Sequence, residues 1–128
     1  MNLATPLHRV LGLGTAGGAA EHWWLQRLTA VALLLLGVWA AVELALLPDF
    51  SYGTALAWVH RPYSAVMLIL FVLAVGYHSY LGVQVVIEDY VASKGGKVVC
   101  VMASALAHTG LSIAAIFAIL KIAFGPSA

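Results

Sequence analysis

Three long apolar runs alternate with short polar breaks along this chain. They cover residues 23–47, 63–91 and 98–124. A helix needs about 20 apolar residues to cross a bilayer, and each run exceeds that length. The pattern predicts an all-α integral membrane protein with three transmembrane helices, preceded by a polar segment, residues 1–22. Pro48 and Asp49 end the first run, Pro62 suits the first position of the second helix, and Gly125-Pro126 stop the third. At 1.5 Å per residue the second helix is roughly 42 Å long, so it must tilt or protrude. Residues 50–61 read as a short external connection. Lys94, Gly95, Gly96 and Lys97 read as a tight basic turn.

Composition narrows the class. Of 128 residues, 63% are hydrophobic and only 9% are charged, and the charges cluster between the runs. That excludes disorder and argues against an ordinary soluble domain. A net charge of +1 leaves no electrostatic footprint for nucleic acid. The single Cys100 can form neither an internal disulfide nor a zinc site. Three spans cannot form two inverted halves, so the repeat architecture of many transporters is not expected.

The first 22 residues carry little chemistry. Residues 3–11 read as an interfacial turn with His8 and Arg9 facing water. Gly12, Gly14 and Gly17 formally match G-x-G-x-x-G, but no strand precedes them and a span follows. They read as a flexible linker. A secretory signal is not expected, because glycines break the apolar run after Arg9.

Polar residues inside the spans are the candidates for function, since ionisable groups are expensive in lipid. His78 lies deep in the second run, which ends in Glu88, Asp89 and Tyr90. Asp89 stands eleven residues beyond His78, about 20° past three full helical turns, so the two share a face roughly 16 Å apart. Ala74 and Gly82 flank His78 and leave room for a bulky group. An imidazole there is either a hydrogen-bonded structural residue or one of two ligands clamping a haem iron between helices. If it is a ligand, its other nitrogen should donate to a backbone carbonyl or water. His108, in the third run, reads as satisfied by a hydroxyl or carbonyl of a neighbouring helix, with haem ligation the alternative. Arg27 stands about one turn inside an interfacial Trp23-Trp24 pair. It either snorkels to lipid phosphate or pairs with a carboxylate. Gln26 and Thr29 can hydrogen-bond neighbouring helices. Glu43 reads as an interfacial acid, with a proton relay as the alternative. Tyr90 is an aromatic-belt residue or a phenol that donates a hydrogen bond, and Asp89 a solvated helix end or a group that tunes that phenol.

The motif His78 followed by Asp89-Tyr90, with His22-Trp23-Trp24-Leu25-Gln26-Arg27-Leu28-Thr29-Ala30-Val31 ahead of it, resembles the succinate dehydrogenase hydrophobic membrane anchor subunit. The resemblance covers nearly the whole chain. It implies a non-flavin membrane component of succinate:quinone oxidoreductase that is not an enzyme alone. His78 would be an axial ligand of a haem b shared with the partner anchor subunit, and Arg27 would pair with a haem propionate. Tyr90, with Asp89 beside it, would help bind ubiquinone. The iron–sulfur subunit and the flavoprotein subunit would be the remaining partners. Two other readings stay open: a structural anchor without haem or quinone, and a small transporter subunit using His78 and His108.

Basic residues suggest orientation. Arg9, Arg27, Lys94 and Lys97 fall on one side, Arg61 and Lys121 on the other. This places the N-terminus and the Lys94–Lys97 segment inside, in a bacterial cytoplasmic membrane if the resemblance holds.

Overall fold

The computed structural model describes residues 13–125. Four helices follow in order: α1 (Leu13–Ala45), α2 (Tyr52–His60), α3 (Pro62–Tyr90) and α4 (Lys94–Ala123). Three segments are long and apolar enough to cross a membrane: Ala20–Ala45 within α1, and the whole of α3 and α4. The all-helical reading with three candidate spans therefore holds.

α3 is the central element. It packs against α1 on one side and α4 on the other, and α2 touches both α3 and α4. Apart from the short helix, the packing is thin. Among the described residues only Trp58, Ser64, Ala65 and Leu81 are buried. Leu34, Leu35, Leu106 and Phe117 are each about two-thirds exposed or more, at 65%, 67%, 72% and 67%. No water-soluble domain presents apolar side chains on that scale; lipid or partner helices must cover them.

Local chemistry sets the helix ends. Ser51 caps α2 by accepting from the Thr54 backbone N–H, and Asp49 Oδ1 accepts from Thr54 Oγ1 at 2.6 Å and from the Ser51 N–H at 2.9 Å. Arg61 ends α2 in an extended conformation, as expected of a residue before proline, and Pro62 then opens α3. Ser93 caps α4 through the Gly96 N–H. A Cβ on Gly96 would lie 2.5 Å from the Ser93 hydroxyl, so the cap requires glycine there.

Three details differ from the sequence reading. α1 is helical from Leu13 and passes through Gly14 and Gly17, so these glycines are helix rather than linker. Each costs about 1 kcal/mol against alanine, which a helix propagating from a long apolar span can absorb. The connection at residues 50–61 contains the nine-residue α2. Lys94–Lys97 form the first turn of α4, and the true turn is Val91–Ser93. The expected interfacial turn at residues 3–11 lies outside the described residues.

α2 closes one end of the bundle. Trp58 stacks on Trp39 of α1, with ring centroids 6.1 Å apart, and Trp39 meets Tyr63 of α3 edge-on at 6.0 Å. Trp58 Nε1 donates to Glu43 Oε2 at 3.1 Å. Glu43 is thereby a hydrogen-bonded tie between α1 and α2.

Candidate functional site

At the opposite end, α1 and α3 run antiparallel, so the start of the first span lies beside the end of the second. His22, Gln26 and Thr29 are spaced i, i+4 and i+7 on α1, a single helical stripe. That stripe faces α3 at His78, Gly82 and Val85. Between them lies a groove of about 780 Å³, lined by His22, Trp23, Gln26, Gly82, Gln84, Val85 and Glu88. A Cβ on Gly82 would stand 3.8 Å from Gln26 Nε2. The space that Gly82 leaves is therefore bounded by the Gln26 amide.

His78 sits at the closed side of this contact. Its Nδ1 is 2.9 Å from Thr29 Oγ1. The same hydroxyl lies 2.8 Å from the Leu25 carbonyl and 3.1 Å from the Gln26 carbonyl. Carbonyls only accept, so the single hydroxyl hydrogen goes to α1's own backbone, and the oxygen's lone pairs face His78. The pattern assigns the proton of neutral His78 to Nδ1 and leaves the lone pair on Nε2. The nearest polar group to Nε2 is Gln26 Nε2, a long approach at 3.5 Å. The partner of the second ring nitrogen is thus a side-chain hydroxyl, where a backbone carbonyl or water was expected.

His108 is built differently. Its Nδ1 lies 2.8 Å from the Ser104 carbonyl and 3.3 Å from the Ser104 hydroxyl. The carbonyl requires Nδ1 to carry the hydrogen. Its Nε2 then accepts from the Ser79 hydroxyl of α3 at 3.1 Å, and Tyr80 meets the ring edge-on at 6.1 Å. Both nitrogens are taken, as the reading of His108 as a satisfied helix-packing residue requires.

The remaining candidates are less drawn together. Arg27 is exposed and stacks its guanidinium 5.2 Å from the centre of the Trp23 ring, which in turn meets Trp24 edge-on. Asp89 and Tyr90 close α3 and are exposed, Tyr90 at 85%. Neither lines the groove; Glu88 does, while accepting from Gln84 Nε2 at 2.9 Å. The Lys97 ammonium donates to the Glu88 carbonyl and ties the start of α4 to this end.

Two atoms here lack partners. His22 Nε2 and Gln26 Oε1 are buried without a hydrogen bond, and both residues line the groove. Orphaned buried polar atoms are costly, so a groove that holds two of them is suited to a ligand with polar edges. Among the described residues no three His, Cys, Asp or Glu side chains converge on a metal-sized site. An imidazole nitrogen is a ligand type that haem iron takes, so His78 Nε2 is the atom of this chain that would hold such a group.

A helical protein with three candidate membrane spans and hydrogen-bonded histidines between them is the class that this fold and site define. The chain belongs to the succinate dehydrogenase/fumarate reductase transmembrane subunit family, whose profile matches residues 1–121. It is a multi-pass membrane protein. The chain is similar to the succinate dehydrogenase hydrophobic membrane anchor subunit of Paracoccus denitrificans, 28% identical over 98% of this chain and 96% of that protein. It is also similar to the subunits of the same name from Rickettsia bellii, 38% identical over 62% of this chain, and Rickettsia conorii, 34% identical over 62%. These matches span 63% and 64% of the two Rickettsia proteins. No solved structure matches.

Proposed function

We propose that this chain is the hydrophobic membrane anchor of a succinate:quinone oxidoreductase. It holds a haem b through His78 and forms part of a ubiquinone site. The observation that carries this reading is the contrast between the two intramembrane histidines. His108 holds both ring nitrogens in short contacts, at 2.8 Å and 3.1 Å, whereas His78 is held firmly only at Nδ1, and its Nε2 meets nothing nearer than the Gln26 amide at 3.5 Å.

Each residue then has a definite task. His78 binds haem iron through Nε2, and the second imidazole comes from the partner anchor subunit. When bound, haem supplies a one-electron redox centre between the iron–sulfur subunit and the quinone. The Gln26 amide, 3.5 Å from Nε2, is the group that has to give way to the iron. Arg27 has its guanidinium at the same end as His22 and the groove, and its planar fork suits a propionate carboxylate. Tyr90, exposed at the end of α3, donates its phenol hydrogen to a quinone oxygen, and Asp89 beside it holds or passes the proton. The flavoprotein subunit oxidises succinate outside this chain. The N-terminus and the first turn of α4 face the cytoplasm of a bacterium, so that Arg27 and Tyr90 both lie at the inner surface.

Affinity purification through this chain, with the co-purified subunits identified and succinate-dependent ubiquinone reduction measured, tests the assignment. A flavoprotein and an iron–sulfur protein in equal amounts, with quinone reduction, are expected. A chain that purifies without them is not this anchor.

A further inference from the structure

We propose that Thr29 is the positioning residue that locks the ring of His78 and presents Nε2 for coordination. The inference rests on the reading of His78 as a haem ligand.

Thr29 Oγ1 has one hydrogen and two lone pairs. The Leu25 carbonyl, four residues back and 2.8 Å away, takes the hydrogen, with the Gln26 carbonyl at 3.1 Å as a weaker second acceptor. This pins the threonine rotamer against its own helix, and the β-branched side chain has few others available. The lone pairs therefore point outward in a fixed direction, and His78 Nδ1 meets them at 2.9 Å. A neutral imidazole that donates through Nδ1 must carry its lone pair on Nε2. The tautomer, the ring angle and the choice of Nε2 as the coordinating atom all follow from one hydroxyl on a different helix.

Two consequences separate this role from ordinary packing. First, an Nδ1–H held by an oxygen acceptor makes Nε2 a stronger electron donor, which favours ferric over ferrous iron. Loss of the acceptor should raise the midpoint potential. Second, without the hydroxyl the Nδ1–H is left among apolar groups, and the ring has reason to turn toward the orphaned Gln26 Oε1. The ligand would then sit at a different angle, which the spectrum of ferric low-spin haem reads directly.

The test uses the complete complex carrying Thr29→Val, Thr29→Ser or His78→Ala. For each, the haem-to-flavin ratio, the ferric electron paramagnetic resonance spectrum and the haem midpoint potential are measured. Thr29→Val keeps the shape and removes the acceptor. It is expected to move the g values and to raise the ferrous-to-ferric ratio about tenfold, about 59 mV for a one-electron couple. Thr29→Ser keeps the hydroxyl and is expected to match the parent protein. If Thr29→Val prevents assembly, Thr29→Ser still decides: a serine complex with displaced g values would mean that the methyl group, not the hydroxyl, holds the ring. A valine complex with unchanged potential and g values would also overturn the proposal, provided that His78→Ala loses the haem signal. Should His78→Ala keep that signal, the reading of His78 as ligand fails instead.

Discussion

The Ser79 hydroxyl of α3 lies 3.1 Å from His108 Nε2 of α4, and the Ser104 carbonyl closes the other side of the ring at 2.8 Å. This pair belongs to a seam of small and polar residues along the α3–α4 contact. One turn away from Ser79, a Cβ on Gly76 would come within 2.3 Å of Ser112 Oγ. Close backbone approach and inter-helix hydrogen bonds are how helices associate in lipid, where no hydrophobic force drives them together. His108→Ala should therefore weaken the α3–α4 contact by about 1 kcal/mol and leave the b-type spectrum intact. Thermal stability of the detergent-solubilised complex, measured beside its haem spectrum, checks both halves of that expectation.

Asp49 gives a pH signature outside the membrane. Hydrogen bonds from the Thr54 hydroxyl and then from Ser51 hold its carboxyl down, from 3.8 to about 2. A lowered carboxylate pKa means that the native cap favours the charged form. Its stabilisation is fully present above about 3.8 and is lost as pH falls through about 2. Carbon-detected titration of Asp49 should find a midpoint near 2. In Thr54→Val, which lacks the first of those donors, the midpoint should move back toward 3.8.

The three spans were legible in the sequence because a run of apolar residues beyond the bilayer thickness has few other uses. His78 stood out for the same reason. The rotation of each helix did not. A span that is apolar on every side has no polar face to orient it, and what faces what depends on a few isolated groups. The stripe His22, Gln26 and Thr29 was the available signal: three polar residues at helical spacing in an otherwise apolar run. It predicts a face turned toward another polar partner, and His78 is that partner. Residues 50–61 concealed α2 because nine residues with a glycine and a terminal histidine carry little periodicity; Ser51 and Asp49 ahead of Thr54 were its cap signal.

Orientation can be measured without any assumption about haem. Single cysteines at Ser51, ahead of α2, and at Ser93, ahead of α4, should react with a membrane-impermeant maleimide from opposite sides, Ser93 from the cytoplasm, in a Cys100→Ser background. Labelling of both from one side would remove the shared inner surface assigned to Arg27 and Tyr90.

Tyr90→Phe separates quinone chemistry from assembly. The ring stays at the end of α3 and only the hydroxyl goes. Loss of one hydrogen bond to a quinone oxygen is worth about 1 kcal/mol, roughly five- to tenfold in rate, and more if that oxygen is left buried and unpaired. Succinate oxidation with an artificial dye should stay near the parent value while ubiquinone reduction falls. An equal fall in both activities would place Tyr90 in assembly rather than in the quinone site.

Haem ligation by His78 is tested most directly by a reduced-minus-oxidised spectrum of the purified complex carrying His78→Ala, taken beside His108→Ala. The b-type bands should vanish or shift in the first and persist in the second, with the subunits still assembled in both. Bands unchanged in His78→Ala and lost in His108→Ala would reverse the assignment and contradict the site built around the Thr29–His78 contact.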